Sequence, residues 1–170
     1  MLPIVLNPEF ARVGLAGAGD GFERRLSLIT EAGVDSPVLF KFGPPGREEI
    51  AGLQVLFVAG LGEAQSRALS SEARAAGVLV NVEDEPQLSD FHVPAVVRRG
   101  DLLLSISTGG RSPGMARILR AQLEKQFGPE WEERLGEIAT ARRDWRASGL
   151  APHEVAEHTG AFVIAKGWRP

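Results

Sequence analysis

With 170 residues, 44% of them hydrophobic and 24% charged, the chain has the size and composition of one ordinary globular domain, or one domain with an appendage. It contains no cysteine, which excludes disulfides, thiolate catalysis and cysteine-ligated metals, and its net charge of −3 argues against general nucleic-acid binding. No apolar run approaches the roughly 20 residues that span a bilayer and no signal peptide is visible, so a cytoplasmic protein without a membrane partner is the expectation.

In chain order, Leu2 to Leu6 is a short apolar run before a turn-like Asn7-Pro8. Ala11 to Ala16 reads as a strand and is followed at once by Gly17-Ala18-Gly19-Asp20-Gly21. Phe22, Leu26, Ile29 and Gly33 then recur at helical spacing, with Gly33 suited to the C-terminal cap. Val38 to Phe42, Gln54 to Ala59 and Val78 to Val82 read as further strands, and Glu63 to Ala76 as a helix. Strands alternating with helices of this length imply βαβ units, a parallel sheet and right-handed crossovers.

Beyond Val82 the pattern changes. The last of these strands ends in Glu83-Asp84-Glu85, at the sheet edge where open α/β folds hold their ligands. His92 to Val97 and Leu102 to Ile106 are two apolar runs split by Arg98-Arg99-Gly100-Asp101, which predicts a hairpin with Gly and Asp in the turn. Ser107-Thr108-Gly109-Gly110-Arg111-Ser112-Pro113 leads into a helix, with Ser112 as N-cap and Pro113 in the first turn. Met115, Ile118, Leu119, Leu123 and Phe127 form its apolar stripe, and Gly128-Pro129 breaks it. Trp131 to Ala147 is a second amphipathic helix, with Trp131, Leu135, Ile138 and Trp145 on its apolar face. Pro152 to His158 predicts a short last helix before an apolar tail from Ala161. The fold expectation is therefore α/β, with a Rossmann-like parallel sheet over residues 1–88, a hairpin dimerisation segment over 89–112 and a helical C-terminal region over 113–170.

Gly17-x-Gly19 between a strand and a helix suits a dinucleotide, because small residues let backbone N–H groups approach a pyrophosphate at the helix N-terminus. A structural turn is the competing reading. Phe22 stands at the third small position, Gly21 sits one residue early, and Asp20 adds a negative charge. The second strand ends in Lys41-Phe42, with no acid to hold a ribose hydroxyl, and Lys41 could accept a 2′-phosphate. Asp84 is the candidate general base, against the plainer reading of a solvated acidic loop. Arg98, Arg99, Arg111, Arg117, Arg120 and Lys125 face only Asp101 and Glu124 in sequence, a local excess that would attract an anion. His92, His153 and His158 are scattered, so no metal site is expected.

These residues resemble the precorrin-2 dehydrogenase / sirohydrochlorin ferrochelatase family, the N-terminal module of siroheme synthase. The resemblance runs from Leu2-Pro3-Ile4 to about Arg146. Its most specific part is Asn81-Val82-x-Asp84-x-Pro86, then Phe91, Pro94, and Ser107-Thr108-Gly109-Gly110-x-Ser112-Pro113-x-x-Ala116-Arg117. Gly19-Asp20, Glu23-Arg24-Arg25 and Glu31-Ala32-Gly33 also match. Two departures lie in the cofactor half: Gly21-Phe22 replace a usual small apolar pair, and Ala59-Gly60-Leu61-Gly62 stands where the family commonly has Ala-Thr-Asp-Asp.

The resemblance implies NAD-dependent oxidation of precorrin-2 to sirohydrochlorin, and some members also insert ferrous iron. It implies Asp84 as the catalytic carboxylate. Gly17, Gly19, Asp20, Gly21, Lys41 and Phe42 fall at the NAD, and Thr108, Gly109, Arg111, Arg117 and Arg120 at the carboxylate-rich tetrapyrrole. It also implies a homodimer. With no room for a methyltransferase domain, a stand-alone protein or a companion to a separate methyltransferase is the expectation. A binding module that holds NAD or a tetrapyrrole without turnover, and a chelatase without dehydrogenase activity, stay open as alternatives.

Overall fold

The structure is a computed structural model that describes residues 2–168. The chain divides into two compact units, Met1–Val93 and Pro94–Pro170.

The first unit is built on a four-stranded parallel sheet. Its strands are β1 (Val13–Gly17), β2 (Val38–Phe40), β3 (Val55–Ala59) and β4 (Leu79–Val82), in the order β2-β1-β3-β4. The helices are α1 (Gly19–Glu31), the four-residue α2 (Arg47–Ile50) and α3 (Glu63–Ala75). β1 and β3 are buried along their whole length, as near-continuous apolar runs in a parallel sheet should be. Phe22 and Ile29 of α1 pack on Val13, Leu15, Val55 and Phe57 on one face of the sheet. Ile50, Leu53, Leu69 and Ala73 pack on Ala16, Leu56, Val58, Val80 and Val82 on the other. Phe22, the residue that departs from the glycine pattern, is thus a core side chain, whose burial contributes about 2–3 kcal/mol.

β4 is an edge strand, and the chain covers its free edge with polar groups from the segment that follows. A tight turn closes from Glu85 N–H to the Val82 carbonyl, with Asp84 at φ +60°, the left-handed region that Asp tolerates better than most residues. The chain then runs back past Pro86–Leu88. Ser89 Oγ accepts from Val82 N–H at 2.9 Å, Asp90 Oδ2 accepts from Val80 N–H at 3.0 Å, and Arg74 holds the other Asp90 oxygen at 2.7 Å. These side chains take the ladder bonds that a fifth strand would otherwise make.

The second unit starts with an antiparallel hairpin, β5 (Ala95–Arg99) and β6 (Leu102–Ile106), in which Val97 faces Leu104. Gly100, at φ +54°, and Asp101 turn the chain, as the spacing predicts, and Arg98 and Arg99 are the last residues of β5. α4 (Pro113–Gln126), α5 (Trp131–Ala147) and α6 (Pro152–Ala165) follow. Ser112 Oγ caps α4 by accepting from Met115 N–H at 3.2 Å, with Pro113 in the first turn. α6 is longer than the short helix expected: most of the apolar tail continues it, and Phe162 packs between Trp145 and Trp168 at 6.0 and 5.8 Å. Leu2 to Leu6 forms neither helix nor strand and is exposed.

Backbone meets backbone where β1 and β3 end. A Cβ at Gly17, where φ is +147°, would overlap the Ala59 carbonyl oxygen, whereas one at Gly19 (φ +68°) meets nothing within 4 Å. Gly17→Ala is therefore expected to cost about 3 kcal/mol or more and Gly19→Ala only about 1 kcal/mol. Urea unfolding checks this; equal midpoints for the two variants would contradict the packing described.

Candidate active site

The strand order places a topological switch point between β1 and β3: the chain leaves β1 toward β2, then crosses back to β3 on the other side. Ligands of such sheets lie outside the strand ends at this point. Two loops form it. Ala18 N–H donates to the Ala59 carbonyl at 3.2 Å, and a Cβ at Gly60 would overlap the Ala18 carbonyl oxygen. The loops can close on each other only because Gly17 and Gly60 carry no side chain.

The expected cofactor residues stand along this edge. Gly17 ends β1; Gly19 opens α1, with Asp20 and Gly21 in its first turn; Lys41 and Phe42 follow β2 directly. Ala18, at the N-cap of α1, makes no side-chain cap, so no residue of that position takes up the first-turn N–H donors. Lys41 Nζ lies 3.7 Å from Glu23 and 5.1 Å from the Phe22 ring centroid, held by α1. Phe42 is fully exposed.

Asp84 is exposed in its turn beyond β4, and the residue before it ties that turn to α1. Glu83 N–H extends the ladder by donating to Val58 at 2.9 Å. The Glu83 carboxylate reaches Arg24 at 3.7 Å and Arg25 at 3.9 Å. Arg25 is largely buried, stacked 5.4 Å from the Phe57 ring centroid. Burial lowers its pKa from the ordinary arginine value, opposed by the negative charges of Glu83 and then Asp84. Below this cluster Asn81 donates to the Phe91 carbonyl at 2.8 Å, while its own amide oxygen is buried without a partner.

Thr108, Gly109, Arg111, Arg117 and Arg120 belong to the second unit. Thr108 Oγ1 accepts from Ser112 N–H at 3.2 Å, and Gly109 and Gly110 are both left-handed, at φ +65° and +78°. Arg111 and Arg117 are exposed, and Arg120 pairs with Glu124 at 2.9 Å. Arg99, counted by sequence among the cations that would attract an anion, is instead structural. It donates to the Phe127 and Glu124 carbonyls at 2.9 and 3.4 Å and so closes the C-terminal end of α4. Among the described residues no three His, Asp or Glu side chains are grouped to hold a metal, and no helix is long and apolar enough to cross a membrane.

The sequence shows Glu83 only as one of three acids at a strand end, and its contact with α1 emerges from the fold. By sequence Gly60 is a departure from a pattern, whereas in the fold it is what lets the β3 loop close on Ala18.

Comparison with known proteins agrees with this architecture. Residues 40–95 match a family model described as "Putative NAD(P)-binding", and residues 99–126 match "Sirohaem biosynthesis protein central". The chain is 34% identical over 141 residues to a siroheme synthase of Methylobacillus flagellatus, covering 72% of this chain and 30% of that protein. It is 31% identical over 160 residues to one of Nitrosococcus oceani, covering 84% and 34%. A siroheme synthase of Tolumonas auensis is 28% identical over 197 residues, covering 91% of this chain and 42% of that protein. The chain thus spans well under half the length of the curated relatives it matches. A solved structure described as SirC, precorrin-2 dehydrogenase, has a TM-score of 0.69 at 18% identity, covering 96% of this chain and 89% of the other, and shares its fold.

Because Arg99 closes α4 while neighbouring Arg98 is exposed with its side chain outside that network, Arg99→Ala should cost about 1–2 kcal/mol and Arg98→Ala less than about 0.5 kcal/mol. Thermal melts of the two variants test this, and a larger loss for Arg98→Ala would contradict the assignment.

Proposed function

The chain belongs to the siroheme-synthase family, and from that premise we propose that it catalyses NAD-dependent oxidation of precorrin-2 to sirohydrochlorin. The observation that carries the reading is the exposed Asp84 carboxylate, in a left-handed turn at the carboxyl edge of the sheet and tied through Glu83 to the first turns of α1. A non-glycine residue held at positive φ costs of order 1 kcal/mol, and such positions cluster at functional sites.

NAD fits the residues present at the switch point. Gly19, where a Cβ would meet nothing within 4 Å, leaves room for a pyrophosphate beside N–H groups that Ala18 does not cap and where the α1 dipole favours negative charge, while Gly17 and Gly21 let the turn close on Ala59 and Glu83 around it. Asp20 would contact the cofactor through its backbone, and Lys41 and Phe42 would flank the adenosine half beyond β2. When bound, NAD supplies the hydride acceptor. Asp84 accepts the proton that leaves the substrate with the hydride, and its exposure gives a macrocycle access to it. Arg111, Arg117 and the Thr108-Gly109 turn would bind substrate carboxylates by charge-assisted hydrogen bonds, with Arg120 recruited from its pair with Glu124.

We extend the proposal to a homodimer formed through residues 89–112 and α4. Val96, Met115 and Ile118 support it: they are 41%, 45% and 56% exposed, the last two on the apolar stripe of α4. Large apolar side chains left this exposed suit a contact with a second copy of the chain.

Incubation with precorrin-2 and NAD, followed by NADH absorbance, tests the reading. Wild type should turn over, and Asp84→Asn should lose about 10²- to 10⁴-fold in kcat while melting as wild type does, since Asn tolerates the left-handed turn. Unchanged turnover in Asp84→Asn would remove the carboxylate from the mechanism. Tight sirohydrochlorin binding without turnover by wild type would favour a binding module instead.

A further inference from the structure

We infer that Glu83 sets how tightly the crevice takes a dinucleotide, because its carboxylate lies on the turn of α1 that a pyrophosphate would use. The inference rests on the cofactor reading above and goes beyond it to a residue that neither the motif nor the glycine loop singles out.

Three observations carry it. First, the Glu83 carboxylate rests against the backbone of Gly21: a Cβ added there would fall 2.5 Å from Glu83 Oε2 and 3.4 Å from Gly60 N. The glycine at position 21 therefore makes room for this carboxylate, between the two loops of the switch point. Second, the carboxylate is held loosely. Its ion pairs with Arg24 and Arg25 are 3.7 and 3.9 Å long, neither is a hydrogen bond, and Arg24 is 67% exposed. A side chain held in this way can turn aside. Third, the only carboxylate in the first turn of α1 itself is Asp20, so Glu83 brings a second negative charge to a helix end that otherwise favours anions.

A dinucleotide would bring two more negative charges to the same few ångströms. Glu83 must swing away, toward the Arg24 side where water and a cation can receive it, before phosphates reach the N–H groups of Gly19 to Gly21. The energy of that displacement is subtracted from binding. Neutralising position 83 removes both the repulsion and the competition for the helix end, while Arg24 and Arg25 stay to attract the phosphates.

The test is calorimetric titration of the full chain with NAD, for wild type, Glu83→Gln and Glu83→Val, with far-ultraviolet circular dichroism melts to verify folding. Valine removes the hydrogen-bonding group as well as the charge, and because both changes leave Arg25 without its anionic partner, both variants are expected to melt below wild type while staying folded. Both variants are expected to bind NAD about tenfold more tightly than wild type at low salt, with the gap closing to under about threefold near 1 M salt, where screening acts within about 3 Å. Equal or weaker binding by folded variants overturns the inference and leaves the cofactor reading intact. Failure of all three proteins to bind NAD overturns the cofactor reading itself, and the role of Glu83 with it.

Discussion

The first unit depends on one close contact, the seating of the Gly17-Ala18 backbone on that of Ala59-Gly60. Two parallel strands that end side by side normally diverge into separate loops. Here the loss of side chains at two positions lets the loops touch, which fixes where α1 begins and where the β3 loop leads into α3. The opening of α1 then faces the carboxyl edge of the sheet with its donors uncapped. The rest of the site follows from this placement: Lys41 leaves β2 beside α1, and the β4 turn carries Glu83 back onto it.

The residues that break the usual glycine pattern make sense as a set. Phe22 fills core space under α1, against Leu15 and Phe57, where a smaller side chain would leave a void. Gly21 frees space on the outer side of the same turn, and Glu83 fills it. Arg25 lies between these two layers, with its guanidinium over Phe57 and its charge facing Glu83. A desolvated arginine is costly unless paired, so the Glu83 carboxylate contributes to the packing of α1 as well as to the charge of the crevice.

Much of this could be read from the sequence because local signals agreed with the global fold. The buried strands were continuous apolar runs, the N-cap of α4 was a Ser before a Pro, and the alternation of strand and helix implied the parallel sheet. The exceptions have physical causes. Arg99 reads by sequence as one of a cluster of cations that would attract an anion, yet its guanidinium closes the end of α4. The stripe on α4 follows helical spacing faithfully, but periodicity does not say what covers a face, and Met115 and Ile118 are exposed. The contact of Glu83 with Gly21 joins residues far apart in sequence, and no local pattern encodes such a pairing. The family motif pointed to Asp84 by its spacing; the left-handed turn that presents it could not be read from that spacing.

The dinucleotide seat proposed for the carboxyl edge of the parallel sheet, at the β1–β3 switch point, is what the roles of the surrounding residues depend on. Amide resonances of an isotope-labelled chain titrated with NAD test it most directly. Shifts that saturate together are expected at Gly19, Asp20, Gly21, Gly60 and Asp84, with α3 and the Asp90 edge network unmoved. Saturable shifts confined to other residues, with those five unchanged, would contradict it.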